Sequence, residues 1–153
     1  MRATVVIAIM VCLTGTMAHG QSLQQQEICE KQAKALVASL SAAIMSAAIK
    51  SLPRLHTFKN LARTHYNTKL NNCFVLVETT GQGSNGQHSV SSQLVDALEE
   101  HVYATYAWTS RDNNKKHGEV PPTTCELTPT RETTNCSSKN EFDAFVAKYM
   151  EDE

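Results

Sequence analysis

Along residues 23 to 52, apolar side chains return at steps of three and four: Ile28, Leu36, Val37, Leu40, Ile44, Ala48 and Leu52. That spacing predicts a helix, and the abundance of alanine favours one intrinsically. Pro53 ends it. From Arg54 to Asn72 the pattern is mixed. Phe58, Leu61, Ala62 and His65 fit one short helical face, and Asn67, Asn71 and Asn72 mark turns before the next element. Cys73 to Thr80 is rich in branched and aromatic residues, which predicts a strand. Its residues are apolar on both faces through Val77, so the strand is expected to be central or covered.

Residues 88 to 109 fit two patterns. As a helix, Val90, Leu94, Leu98 and Val102 are spaced by four. As strands, Val102, Ala104, Tyr106 and Trp108 alternate with His101, Tyr103, Thr105 and Ala107. The strand-forming run VYATYAW favours two strands, 88–95 and 101–109, with a turn at Ala97–Glu100. On that reading Tyr106 and Trp108 share one face and pack under a helix, while Tyr103 points the other way. Arg111 to Gly118 is a polar loop. Val120 to Thr128 is a further strand that Pro121 and Pro122 place at an edge or give a late start. Thr128 to Asn135 is loop. Ser138-Lys139-Asn140-Glu141 has the form of a capping box, and Phe142, Phe145, Val146 and Tyr149 follow on one face, which predicts a helix over 139–151 laid on the sheet. The order of elements gives an α+β class: a long N-terminal helix, an antiparallel sheet of about four strands and a C-terminal helix packed on it.

The first 20 residues change the picture of where this domain works. Arg2 precedes an apolar run from Val5 to Leu13, and Ala18-His19-Gly20 closes the segment with small residues. That layout is a secretory signal peptide, with cleavage expected after Gly20 and Ala18 the alternative. Cys12 follows Val11, not the small residue a lipoprotein signal places there. The mature chain, 21–153, is then one domain. Losing Arg2 leaves 13 of the 14 Lys and Arg against 15 Asp and Glu. The near balance argues against a nucleic-acid partner. The uncharged run between Lys34 and Lys50 has 15 residues, short of the roughly 20 that span a bilayer, so no transmembrane segment is expected in the mature chain.

Four cysteines remain: Cys29, Cys73, Cys125 and Cys136. An even count in an exported chain points to disulfides, and three connectivities are open. Cys125–Cys136 is favoured because it closes a short loop, and Cys29–Cys73 then ties the first helix to the first strand. A zinc site or cysteine nucleophile is disfavoured, since no C-x-x-C pair is present.

The candidate chemistries are sparse. Gly81-Gln82-Gly83-Ser84-Asn85-Gly86 is a literal G-x-G-x-x-G after a strand. A dinucleotide site needs a helix after it and more sheet than the remaining chain supplies, so a hairpin tip is expected and no cofactor is assigned. His56, His65, His88, His101 and His117 form no H-E-x-x-H pattern. Glu78, Asp96, Glu99, Glu100 and Glu126 act as acid or base only if the fold brings them together. No catalytic, cofactor or metal residue is assigned. Tyr103 and His101, with Gly83 and Asn85 at the glycine-rich tip, are the candidate binding surface. Asn135-Cys136-Ser137 matches a glycosylation sequon that a disulfide at Cys136 would hinder.

Three strings resemble a group of small exported bacterial proteins of unknown function: H-Y-N-x-K-L-N-x-C-F-V-L-V from His65, D-A-x-E-x-x-V-Y-A-x-Y-x-W from Asp96, and C-x-S-x-x-E-F-D-A-x-V-x-x-Y-M from Cys136. The resemblance implies a periplasmic or secreted bacterial protein and transfers no catalytic residue. The expected role is binding of an envelope protein or small ligand. A small hydrolase with a histidine and carboxylate site formed only in the fold is the alternative, and self-association through the alanine-rich first helix is a third reading.

Overall fold

The computed structural model describes residues 18–51, 55–83, 86–110, 121–130 and 132–151. The expected leader body (1–17, with Cys12), Asn85, the 111–118 loop with His117, and Val120 lie outside them. The order is α1 (Ala18–Ser51), β1 (Leu55–Asn67), β2 (Asn72–Gly83), β3 (His88–Asp96), β4 (Val102–Ser110), β5 (Thr124–Leu127), β6 (Thr134–Asn135) and α2 (Lys139–Met150). Neighbouring strands pair antiparallel in simple sequence order, β1-β2-β3-β4-β5-β6. The class is α+β as expected, with six strands among the described residues where about four were expected. The expected cleavage point after Gly20 falls in the first turn of α1.

The sheet lies between two helices. On one face α1 brings Cys29, Ala33 and Leu36 against Cys73, Val75, Val77 and Val95. On the other, Phe142, Phe145 and Val146 of α2 pack on Phe74, Leu76, Leu94, Ala104, Tyr106 and Trp108. This explains the doubly apolar run of β2: residues 73–77 are all buried, alternating between two cores. Tyr106 and Trp108 do sit under a helix, with Tyr106 5.5 Å from the Phe142 ring.

Two strands depart from the expected pattern. β1 occupies the stretch in which Phe58, Leu61, Ala62 and His65 fitted a helical face. Residues 57–64 are all exposed, so no apolar alternation betrays the strand, and its pairing with β2 decides its form. β6 adds two residues within the expected loop, paired to Glu126 and Leu127. β5 starts at Thr124, after both prolines, because a proline cannot donate to the ladder.

The buried stripe of α1 is also turned from the expected one. Cys29, Ala33 and Leu36 face the sheet, Val37 and Leu40 are half-buried, and Ile28 is 49% exposed. The side chains of Ile44 and Ala48, and Leu52 entirely, fall outside the described residues. Cys29 and Cys73 are joined with Cα atoms 5.4 Å apart, and that bond selects the stripe. Cys125 and Cys136 are joined likewise, at 5.0 Å.

The turns are built by local polar chemistry. In the β1–β2 turn, Asn67 accepts the Leu70 N–H at 3.0 Å, Asn71 takes a positive φ of 51°, and Asn72 accepts the Cys73 N–H at 2.8 Å. Asn67 also donates to the last carbonyls of α2, Lys148 and Tyr149, at 3.3 and 3.2 Å. It thereby ties a strand end to a helix C-terminus. In the β3–β4 turn, Asp96 accepts from the Leu98 and Glu99 amides at 2.7 and 3.1 Å, and Glu100 takes a φ of 55°. At the start of α2, Ser138 accepts the Glu141 N–H at 3.3 Å. The Glu141 carboxylate reaches back one residue further than a capping box requires, to the Ser137 N–H and hydroxyl, both at 2.8 Å.

Candidate functional site

The glycine-rich stretch is a hairpin tip. β2 runs through Gly83, β3 returns antiparallel from His88, and Gly83 and Gln87 close the turn with a 2.8 Å N–H···O bond. Gly86 has a φ of 75°, the left-handed conformation that glycine adopts without cost. No helix follows it, so the phosphate cradle that the spacing mimics does not form.

Of the candidate surface, His101 and Tyr103 do not share a surface with Gly83. The β2–β3 register runs from Phe74 opposite Asp96 to Gln82 opposite His88. Gly83 therefore lies at one end of the sheet, while His101 and Tyr103 lie at the other, about 27 Å along the strands. Asn85 is outside the described residues. Tyr103 also does not point away from Tyr106. Leu94 pairs with Ala104 but Val95 pairs with Val102, so Tyr103 is an extra, bulged residue. The bulge re-aims it. Its ring meets Phe74 edge-on at 5.4 Å, Tyr149 at 5.1 Å and His101 at 4.9 Å. Burial, then the charges of Asp96 and Glu99, push the Tyr103 hydroxyl pKa up. Burial, then Tyr103, does the same for Tyr149.

A different place gathers chemistry. Strand alternation puts Lys59, Leu61, Arg63 and His65 of β1 on the α2 side of the sheet, opposite Thr80, Glu78, Leu76 and Phe74. One helical turn of α2 sets Lys139 and Asp143 above them, and the two form an ion pair. Between these elements lies a groove of about 520 Å³ lined by Arg63, His65, Glu78, Lys139, Asp143 and Met150. Arg63 approaches Glu78 at 3.9 Å. The Lys139 ammonium lies 5.1 Å from the Phe142 ring centre and 5.7 Å from that of Tyr106, which holds it at the groove wall. The groove thus offers charges of both signs and an imidazole.

In the sequence, His65 and Glu78 stand 13 residues apart with no motif to join them, and Arg63, Lys139 and Asp143 carry no ligand or catalytic pattern that marks them. Once β1 is read as a strand, the i, i+2 spacing of Lys59, Leu61, Arg63 and His65 is the signal that was available.

On the opposite face a second groove of about 380 Å³ separates α1 from β1, lined by Ala33, Lys34, Val37, Ala38, Ala62 and Thr64. Among the described residues no group of three or more His, Cys, Asp or Glu side chains is placed to hold a metal ion, and no helix is long and apolar enough to cross a membrane. No protein-family model matches the chain, no curated protein matches it, and no solved structure matches it.

Proposed function

We propose that this is an exported binding protein of the bacterial envelope or periplasm, and that the groove between β1 and α2 is its binding surface. The observation that carries the reading is the convergence of Arg63, His65, Glu78, Lys139 and Asp143 from three elements on one concavity of about 520 Å³. Pockets of this size with a few fixed polar groups hold small ligands or side chains of a partner. The leader layout and the two joined cysteine pairs support export. The direct test recovers the protein from its own envelope fraction. The N-terminus is expected at Gln21, and thiol titration without reductant is expected to find none. An intact N-terminus with four reactive thiols would end the export reading. For the groove, charged fragments titrated into labelled protein are expected to shift Arg63, His65 and Lys139 and to lose that effect in Arg63→Ala.

A second reading is favoured by one feature: His65, Glu78 and Asp143 line the same groove. A histidine and carboxylates in one cleft are the parts of a small hydrolase. Turnover of ester, peptide or glycoside substrates that disappears in both His65→Ala and Glu78→Gln, with the fold intact, would replace binding by catalysis.

A further inference from the structure

β1 is the first strand of the sheet, and no described strand pairs with its outer edge. Its residues 57–64 are all exposed. A strand edge of this length carries a row of backbone donors and acceptors able to pair with another chain. Each side of that edge has its own character. Toward α2 stand Lys59, Leu61, Arg63 and His65, with Lys139 beyond. Toward α1 stand Phe58, Asn60, Ala62 and Thr64, beside the groove formed with Val37 and Ala33. β1 itself holds no acidic residue.

These features select among occupants. A second copy pairing antiparallel about Leu61 would set Lys59 opposite Arg63 twice, and like charges directly opposite disfavour that register; self-pairing in another register is an outcome the experiment separates. An added strand alternates its side chains as β1 does. Its residues toward α2 stand directly opposite Lys59 and Arg63 of β1, with the acids Glu78 and Asp143 one element further in, and its residues toward α1 meet a groove whose floor is Ala33, Val37, Ala38 and Ala62, with Glu30 and Lys34 at its side.

We infer that the outer edge of β1, which no described strand occupies, takes an added strand from a partner polypeptide, an extended segment in which acidic and apolar residues alternate. The acidic side chains lie against Lys59 and Arg63, and the apolar ones against Val37 and Ala62. Main-chain bonds to β1 supply affinity and the two grooves supply selectivity. This inference rests on the reading of the β1–α2 groove as a binding surface, and it names what that surface takes.

The probe is an end-blocked peptide of about nine residues alternating glutamate and valine, long enough to cover the exposed part of β1 at ~3.4 Å per residue. Its comparison is the same peptide N-methylated along one edge, which keeps the side chains and loses the donors. Binding is followed by anisotropy, and contact by amide exchange of β1. The expected result is saturable binding, slowed exchange at alternate β1 amides, and affinity at least about tenfold lower for the methylated peptide and for the exposed double variant Lys59→Glu/Arg63→Glu. If that variant does not fold, the methylated peptide on the unaltered protein still decides.

Equal binding of both peptides, with shifts at Arg63, His65 and Lys139 but no protection of β1, overturns strand addition and leaves the groove reading standing. Absence of any shift at those residues, with the peptide and with free N-acetylglutamate alike, overturns both. A concentration-dependent dimer that protects β1 without peptide overturns the inference by giving the edge to a second copy.

Discussion

Asp96 and Ser92 project from the same face of β3 into the core beneath α2, at 1% and 0% exposure. Asp96 accepts from the Leu98 and Glu99 amides and from the Asn72 side-chain amide. It holds the β3–β4 turn and ties it to the β1–β2 turn. Ser92 Oγ has no hydrogen-bond partner among the described residues. Deletion should therefore act with opposite sign at the two positions. Asp96→Ala strands three donors and is expected to cost roughly 2–3 kcal/mol in urea unfolding. Ser92→Ala removes a desolvated hydroxyl and is expected to be neutral or stabilising by up to about 1 kcal/mol. Glu141 makes a third residue-scale case. The Ser137 N–H, then its hydroxyl, hold the Glu141 carboxyl below its ordinary pKa. A folded pKa below the unfolded one contributes stability above the unfolded value, near 4.5, that is lost as pH falls through the folded one. The start of α2 should fray first in acid, seen as early loss of amide protection at Phe142 and Asp143, and Glu141→Gln should remove that acid dependence.

At the scale of elements, the two disulfides fasten different parts. Cys29–Cys73 closes a separation of 44 residues and pins α1 to β2, while Cys125–Cys136 closes 11 residues beneath the start of α2. On chain entropy the longer loop contributes about 4 kcal/mol and the shorter about 3. Cys29→Ala/Cys73→Ala should therefore cost more than Cys125→Ala/Cys136→Ala in denaturant. Only the first should release α1, because Ala33 and Leu36 are the only other buried residues among the α1 side chains described. Equal losses, or α1 amides that stay protected without the Cys29 bond, would show that packing alone holds the helix. The elements legible in the sequence are those whose burial follows one periodicity. β2 declared itself because two cores claim alternate residues, and α2 because Ser138 and the Phe142–Tyr149 face agree. β1 was illegible because neither side of it is buried between 57 and 64. Tyr103 was misplaced because a bulge leaves no mark in a period-two pattern. The groove was hidden for a related reason: Arg63, Glu78 and Asp143 meet only when β1 is known to be a strand and α2 is known to cross it.

Taken as a whole, the molecule has two unlike cores on one sheet. Three of its four tyrosines, Tyr103, Tyr106 and Tyr149, belong to the α2 side, packed with Phe74 and Phe142. Burial raises the pKa of all three above the usual value of 10.0, with Asp143 adding to the effect at Tyr106. A folded pKa above the unfolded one means that the native state holds its proton longer. Stability from these groups is complete below about pH 10 and is lost as pH rises through the folded values. Alkali should therefore loosen the α2 layer, since a phenolate there must either lose water or open the core. Tyrosinate absorbance in the native protein should appear at higher pH than in the urea-unfolded chain. It should rise together with loss of near-ultraviolet circular dichroism and of protection at Phe145 and Val146. Ala33 and Leu36, on the far side of the sheet, should keep their protection into higher pH. If tyrosinate forms near pH 10 with the dichroism unchanged, the aromatic cluster is open to solvent and the tight seating of Tyr103 by the β4 bulge is wrong.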